Sequence, residues 1–145
     1  MAQLEKWPAP KMGASSANRM VRSYRAEGAA IGAGLAVVAG TEWDQVKMPD
    51  GGNVRALGIT ALAVHQEGEA IAVTEFGEVV AIADAPVNRC DLVMVGGPTG
   101  KLAPIGATAG ENYEVIGLAL SAAAAQDDEF VGVGHALQSV GRGPL

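Results

Sequence analysis

Cysteine is almost missing from this sequence. Cys90 stands alone, which excludes an intramolecular disulfide and any zinc site built on paired cysteines. Beside a predicted strand, it reads as an inert, partly buried thiol. Histidine is nearly as scarce: His65 and His135 fall at non-equivalent places in the two halves of the chain described below, so they form no repeated ligand pair. No serine stands in a GxSxG or SxxK context. The clustered acids Glu67, Glu69, Asp127, Asp128 and Glu129 lack the DxDxDG spacing of a calcium loop and read as solvated turns. The expectation is a protein that is not an enzyme and holds no cofactor or metal. Long apolar runs are missing too. The longest, residues 29–39 and 115–125, are broken by Gly or Ser and fall short of the roughly 20 residues of a membrane helix. The N-terminus has no apolar core of a secretion signal, so neither a membrane nor export is expected.

Aromatic residues make up only 4% of the chain, against 20 glycines. An interior without large rings must be narrow and filled by Val, Ile, Leu and Ala, as in a small β-barrel or tight β-sandwich. At 145 residues one domain is the natural size. Charge is divided unevenly. Residues 1–26 carry Lys6, Lys11, Arg19, Arg22 and Arg25 against Glu5 alone, whereas the rest holds 5 basic and 15 acidic side chains. A basic arm therefore precedes an acidic body. With a pI near 4.8 and no basic groove with interleaved aromatics, nucleic acid is not expected as the main partner.

What is present is a hairpin spelled twice. Residues 58–76, GITALAVHQEGEAIAVTEF, and residues 117–136, GLALSAAAAQDDEFVGVGHA, each run from a glycine through an apolar stretch and an acidic turn into a period-2 strand. Gly58 and Gly117 are 59 residues apart and Glu69 and Glu129 are 60 apart, which gives the second copy one extra turn residue. Upstream, Leu35, Ala36, Val37 and Val38 match Leu92, Val93, Met94 and Val95, and Gly40 matches Gly97, at a spacing of 57. A duplicated unit follows, over about residues 31–76 and 87–136. The predicted fold is all-β, a small barrel or sandwich built from two similar halves and preceded by an extended N-terminal arm.

Along the chain, residues 1–26 read as the arm, 27–137 as the β domain and 138–145 as a flexible tail. Alternation of Arg19, Val21, Ser23 and Arg25 with Met20, Arg22, Tyr24 and Ala26 suits a first strand, and a helix is also compatible. The connector EGAAIGAG lacks GxGxxG and a following helix, so its glycines serve turns rather than phosphate binding. Gly77 reads as a turn into a separate strand over residues 78–83, ended by Pro86. A helical turn over residues 122–125 is an alternative to strand. In the arm, Trp7 lies in WPAP, a large apolar surface stiffened by proline. It either folds back on its own domain or docks on a neighbour.

The arm, the Gly/Ala/Val-rich body with its repeated strand openings, the segment Gly117, Leu118, Ala119, Leu120 and the acidic-turn strand over residues 127–133 together resemble small capsid decoration, or cement, proteins of tailed bacteriophages. The resemblance covers about residues 20–137. It departs at Asn88, Arg89, Cys90 and Asp91, where a Gly-Asp turn is expected. It implies a structural virion protein on the outer capsid surface, made in the host cytoplasm, that bridges neighbouring major capsid subunits and associates with itself as a trimer or dimer. Trp7, Met12 and Met20 are then the apolar anchors, and Arg19, Arg22 and Arg25 the charge contacts. The alternative is a small β-barrel binding module for a carbohydrate or peptide, using Trp43, Phe76, Tyr113 or Phe130.

Overall fold

Ile71 and Val73, which alternate in sequence with Ala70 and Ala72, are buried on the inward face of a strand, as a period of two requires. The computed structural model that shows this describes residues 20–28, 30–106 and 111–142, with 133–142 as backbone alone. Among these residues there is no helix. The strands are β1 Met20–Ala26, β2 Ala36–Ala39, β3 Gln45–Lys47, β4 Gly58–Thr60, β5 Ala70–Ile82, β6 Leu92–Val95, β7 Leu102–Pro104, β8 Asn112–Ala119 and β9 Glu129–Arg142.

The pairing order β1-β3-β2-β4-β5 closes on itself, because β5 also pairs with β1. This is a five-stranded barrel. The order continues β5-β9-β8-β6-β7, and a parallel bridge between Ala83 and Leu102 returns β7 to the end of β5. A second barrel-like unit is therefore built on the far half of the same strand. Closure removes open sheet edges, and β5, with 13 residues, serves both units.

Ladder registers give the internal equivalence. Ala36 pairs with Ile59 and Val37 with Gly58 in the first unit, as Leu92 pairs with Leu118 and Val93 with Gly117 in the second. One strand has advanced by 56 residues and its partner by 59. Bridges between Ile31 and Val64 and between Val87 and Ala123 keep the same two offsets. The turn bonds from the Gly40 N–H to the Gln45 carbonyl and from the Gly96 N–H to the Lys101 carbonyl keep the 56-residue offset at both ends. The duplication read from the sequence is real, but its register in the upstream strand is 56 rather than 57, so Gly40 corresponds to Gly96 and not Gly97. The hairpin turns are also of equal length. The Gln66 N–H donates to the Glu69 carboxylate and the Ala125 N–H to that of Asp128, which makes Asp128 the counterpart of Glu69.

Four further expectations are corrected. Residues 20–26 belong to the barrel and not to an arm, because β1 pairs along β5 and, in parallel, with β3. Strand β9 runs to Arg142, paired with Asn112 of β8, so the tail does not begin at 138. Gly77 adopts φ 100° inside β5 without interrupting it, because glycine tolerates a conformation that other residues avoid. Residues 122–125 form no helical turn, since Ala123 and Val87 exchange both backbone hydrogen bonds as an extended pair.

Two apolar clusters follow from the two units. Ile31, Val37, Val46 and Ile71 fill the first; their counterparts Val87, Val93, Leu102 and Phe130 fill the second. Burying each such side chain contributes about 1.5–3 kcal/mol. The second cluster also takes in Ala36, Ala56 and Ile59 from the first unit, so the two barrels share a continuous apolar contact.

Candidate partner-binding surface

Of the side chains expected to contact a partner, Trp7, Met12 and Arg19 lie outside the described residues. Met20, Arg22 and Arg25 are all on β1, and the structure gives the two arginines partners within the chain. Between Met20 and Val21 the register on β5 jumps from Phe76 to Thr74, leaving Glu75 as the extra residue of a bulge. Its buried carboxylate accepts from the Tyr24 hydroxyl on one oxygen and pairs with Arg22 Nε at 2.8 Å on the other. Burial, reinforced by the hydrogen bond to Glu75, pushes the Tyr24 phenol up to about 12.

Arg25 is engaged as a fork. Its Nε donates to Asp44 Oδ2 at 2.8 Å and its Nη2 to Oδ1 at 3.0 Å, a bidentate geometry that holds the Asp44 carboxyl below its usual range. Both arginines thus carry ion pairs that tie β1 to its neighbours, while their side chains stay 62% and 50% exposed. Met20 remains available: with Val21 and Phe76 it forms an exposed apolar group where the described chain begins. Phe76 stands out in the sequence as one of few aromatic residues; Val21 does not, because it reads as an ordinary strand residue.

A second exposed group lies on the turn between β2 and β3. Trp43 is 91% exposed, yet the turn beneath it is tightly bonded. Gly40 N–H donates to the Gln45 carbonyl, Gln45 N–H to the Glu42 carbonyl, Glu42 N–H to Gln45 Oε1, and Thr41 N–H to Glu27 Oε1. The last bond lowers the Glu27 carboxyl from its ordinary range. The indole is therefore presented on a rigid base. Tyr113 and Phe130, the other aromatic candidates for a binding face, are buried. Cys90 is exposed and not partly buried, because it occupies the turn position of Gly34 at a place where no second barrel covers it.

Between the barrels lies a cleft of about 160 Å³ whose lining includes Gly34, Thr60, Val79, Ile82 and Glu129. The Thr60 hydroxyl is already committed, donating to the Gly32 carbonyl and accepting from the Leu35 N–H. Among the described residues of the lining Glu129 is the one ionisable side chain, so they offer no acid–base pair. No group of three potential metal ligands occurs among the described residues, and none of their segments is a helix long and apolar enough to cross a membrane.

The arrangement defines an all-β chain of two five-stranded units fused through one strand, with its exposed apolar groups on turns and strand ends. The fold is similar to that of the head fiber gp8.5 N base in bacteriophage phi29, known from a crystal structure. The TM-score is 0.60 at 16% sequence identity, over 83% of this chain and 98% of that one. At this identity the likeness is one of fold. No family model matches the chain, and no curated protein matches it.

Proposed function

We propose that this chain is a structural protein of a bacteriophage virion, attached to the outside of the head, with the major capsid protein as its partner and no reaction to catalyse. The observation that carries this reading is the fold: nearly the whole of a phage head fiber base superposes on most of this chain. The finer role is that of a cement, bridging neighbouring capsid subunits. A stiff closed-barrel body suits a load-bearing attachment, and the basic residues before β1 offer charge contacts to a partner.

The test mixes the full chain with purified empty heads of the same phage, then measures co-sedimentation and the temperature at which the heads disrupt. Binding with a raised disruption temperature supports cementing. Binding with no rise keeps head attachment but removes the bridging role. No binding at saturating protein overturns both. Any deletion that probes the N-terminal segment must stop at residue 19, because removing residues 20–26 takes out a barrel strand.

A second reading, a carbohydrate- or peptide-binding module, is favoured by Trp43, which stands almost fully exposed on a rigid turn. Quenching or shift of its fluorescence on a glycan or peptide panel, lost in Trp43→Ala, is the result that would favour it.

A further inference from the structure

Past Gly77, the outward face of β5 carries apolar side chains where a period of two would place polar ones. Val80 and Ile82 are half-buried there, and their partners across the ladder are buried Val131 and exposed Glu129. Walls on both sides make this strip a groove. On one side the Ile82 N–H donates to the Gly34 carbonyl at 3.1 Å, which pins the Gly34 turn beside the strip at the cleft of about 160 Å³ described above. On the other, Ser121 Oγ accepts the Val131 N–H at 2.9 Å, next to a second hollow of about 340 Å³ that also meets Phe130. Val80 and Glu129 line both hollows, so the two are continuous. Glu129 takes part in none of the ion pairs among the described residues.

The chain holds a segment of fitting chemistry to complete the cover of Val80 and Ile82. Residues 1–19 include Trp7 bracketed by Lys6 and Lys11, with Glu5 as their one acid. Glu129 is the one ionisable side chain of the lining, so segment and groove are opposite in charge. Reach is ample. Met20 pairs with Phe76, and Val80 is four residues further along β5, about 13 Å at strand spacing. Trp7 stands 13 residues before Met20, a stretch that spans up to about 43 Å when extended.

We infer that residues 1–19 fold back along this groove, with the Trp7 indole covering Val80 and Ile82 and the lysines on either side of it facing Glu129. A docked indole takes about 150–250 Å² out of water. Two features lower the cost of ordering. Pro8 and Pro10 restrict the segment before it docks, and attachment to the same chain supplies an effective concentration of the order of millimolar. The groove needs no rearrangement, because backbone bonds already hold both of its walls.

The experiment compares amide and methyl NMR spectra of the full chain with those of Trp7→Ala, without heads, so it stands or falls apart from the head-attachment reading. The substitution lies before β1 and removes no strand residue. Loss of the indole is expected to move the methyl signals of Val80, Ile82 and Val131 and the amides of Gly34 and Ser121. In a Val80→Glu chain, whose dispersed spectrum reports that it folds, the same comparison is expected to give shifts at Ile82 and Val131 smaller by at least about threefold. If that variant does not fold, the first comparison still decides. No change beyond residue 20, changes centred on Met20, Val21 and Phe76 or on any other surface, or full shifts that survive in folded Val80→Glu would each overturn the inference. So would shifts that fade on about tenfold dilution, because they would assign the indole to a neighbouring copy.

Discussion

Asn53 pairs with Glu114 as a strand residue would, but through its side chain. Its Oδ1 accepts the Glu114 N–H at 2.8 Å while its Nδ2 donates to the Asn112 carbonyl at 3.2 Å, so one amide blocks the edge of β8. Asn53 itself has φ 52°, and Asn tolerates this region better than most residues. Asn53→Ala loses both bonds and strains the backbone; a cost of about 2–3 kcal/mol is expected. Asn53→Gly loses only the bonds and is expected to cost less. Denaturant midpoints of the two variants check the order.

The second unit places Cys90 where the first has Gly34, and both have φ in the left-handed region, 75° and 77°. Cys90→Gly is therefore expected to stabilise the protein by about 1 kcal/mol. Asp127, at φ 73°, is the counterpart of Gly68, but its carboxylate pairs with Lys101. Asp127→Gly relieves strain and loses that pair, so a smaller gain is expected. Thermal melts of the two variants measure the difference.

Tyr24 carries a sign that can be worked out. Its folded pKa, about 12, lies above the ordinary phenol value of 10.0, so the native state holds the phenolic proton more tightly. That contribution to stability is complete below pH 10 and is lost as pH rises through about 12. Spectrophotometric titration should show one of the two tyrosines ionising late. Tyr24→Phe should abolish the late step and flatten the alkaline fall in stability. A late step that survives the substitution would overturn the assignment to Tyr24.

Gly100 tests the contact between the barrels. It has φ 76°, and its α-carbon approaches the Ala36 carbonyl too closely for a side chain. Gly100→Ala combines left-handed strain with overpacking and is expected to cost about 3 kcal/mol. At Gly51 an added Cβ would meet nothing within 4 Å, and φ is not positive, so Ala should be accepted there at little cost. Chemical denaturation of both variants compares them.

The fold class and the existence of a repeat were legible because turns and period-2 strands are local signals. Gly58 and Gly117 are equivalent, as their spacing implied, and the acidic hairpin turns recur. The register of β2 against β6 was not legible. Matching Leu35 to Leu92 aligns two apolar runs, but the strand places Ala36 at Leu92. Burial explains the mismatch: Ala36 lies beneath a second barrel and must be small, while Leu92 has no barrel above it. Selection on the two copies therefore differs at matching sites, and side-chain size stops reporting the alignment. The ion pairs of β1 were not legible either. Arg22 and Arg25 resemble an arm's free charges in sequence, because their partners Glu75 and Asp44 lie 53 and 19 positions away. Strand β9 past residue 137 looked too polar and Gly-rich to pack, yet it is held through its backbone ladder to β8, which composition does not report.

The shared strand β5 also determines how this molecule responds to force. With no linker between the barrels, tension applied at one unit reaches the other along a single continuous backbone, laddered over residues 70–76 in the first barrel and 77–82 in the second. Two beads on a string would yield one after the other under such a pull. Here the joint is itself a strand, so the pull passes between the barrels through hydrogen-bonded backbone and not through a tether.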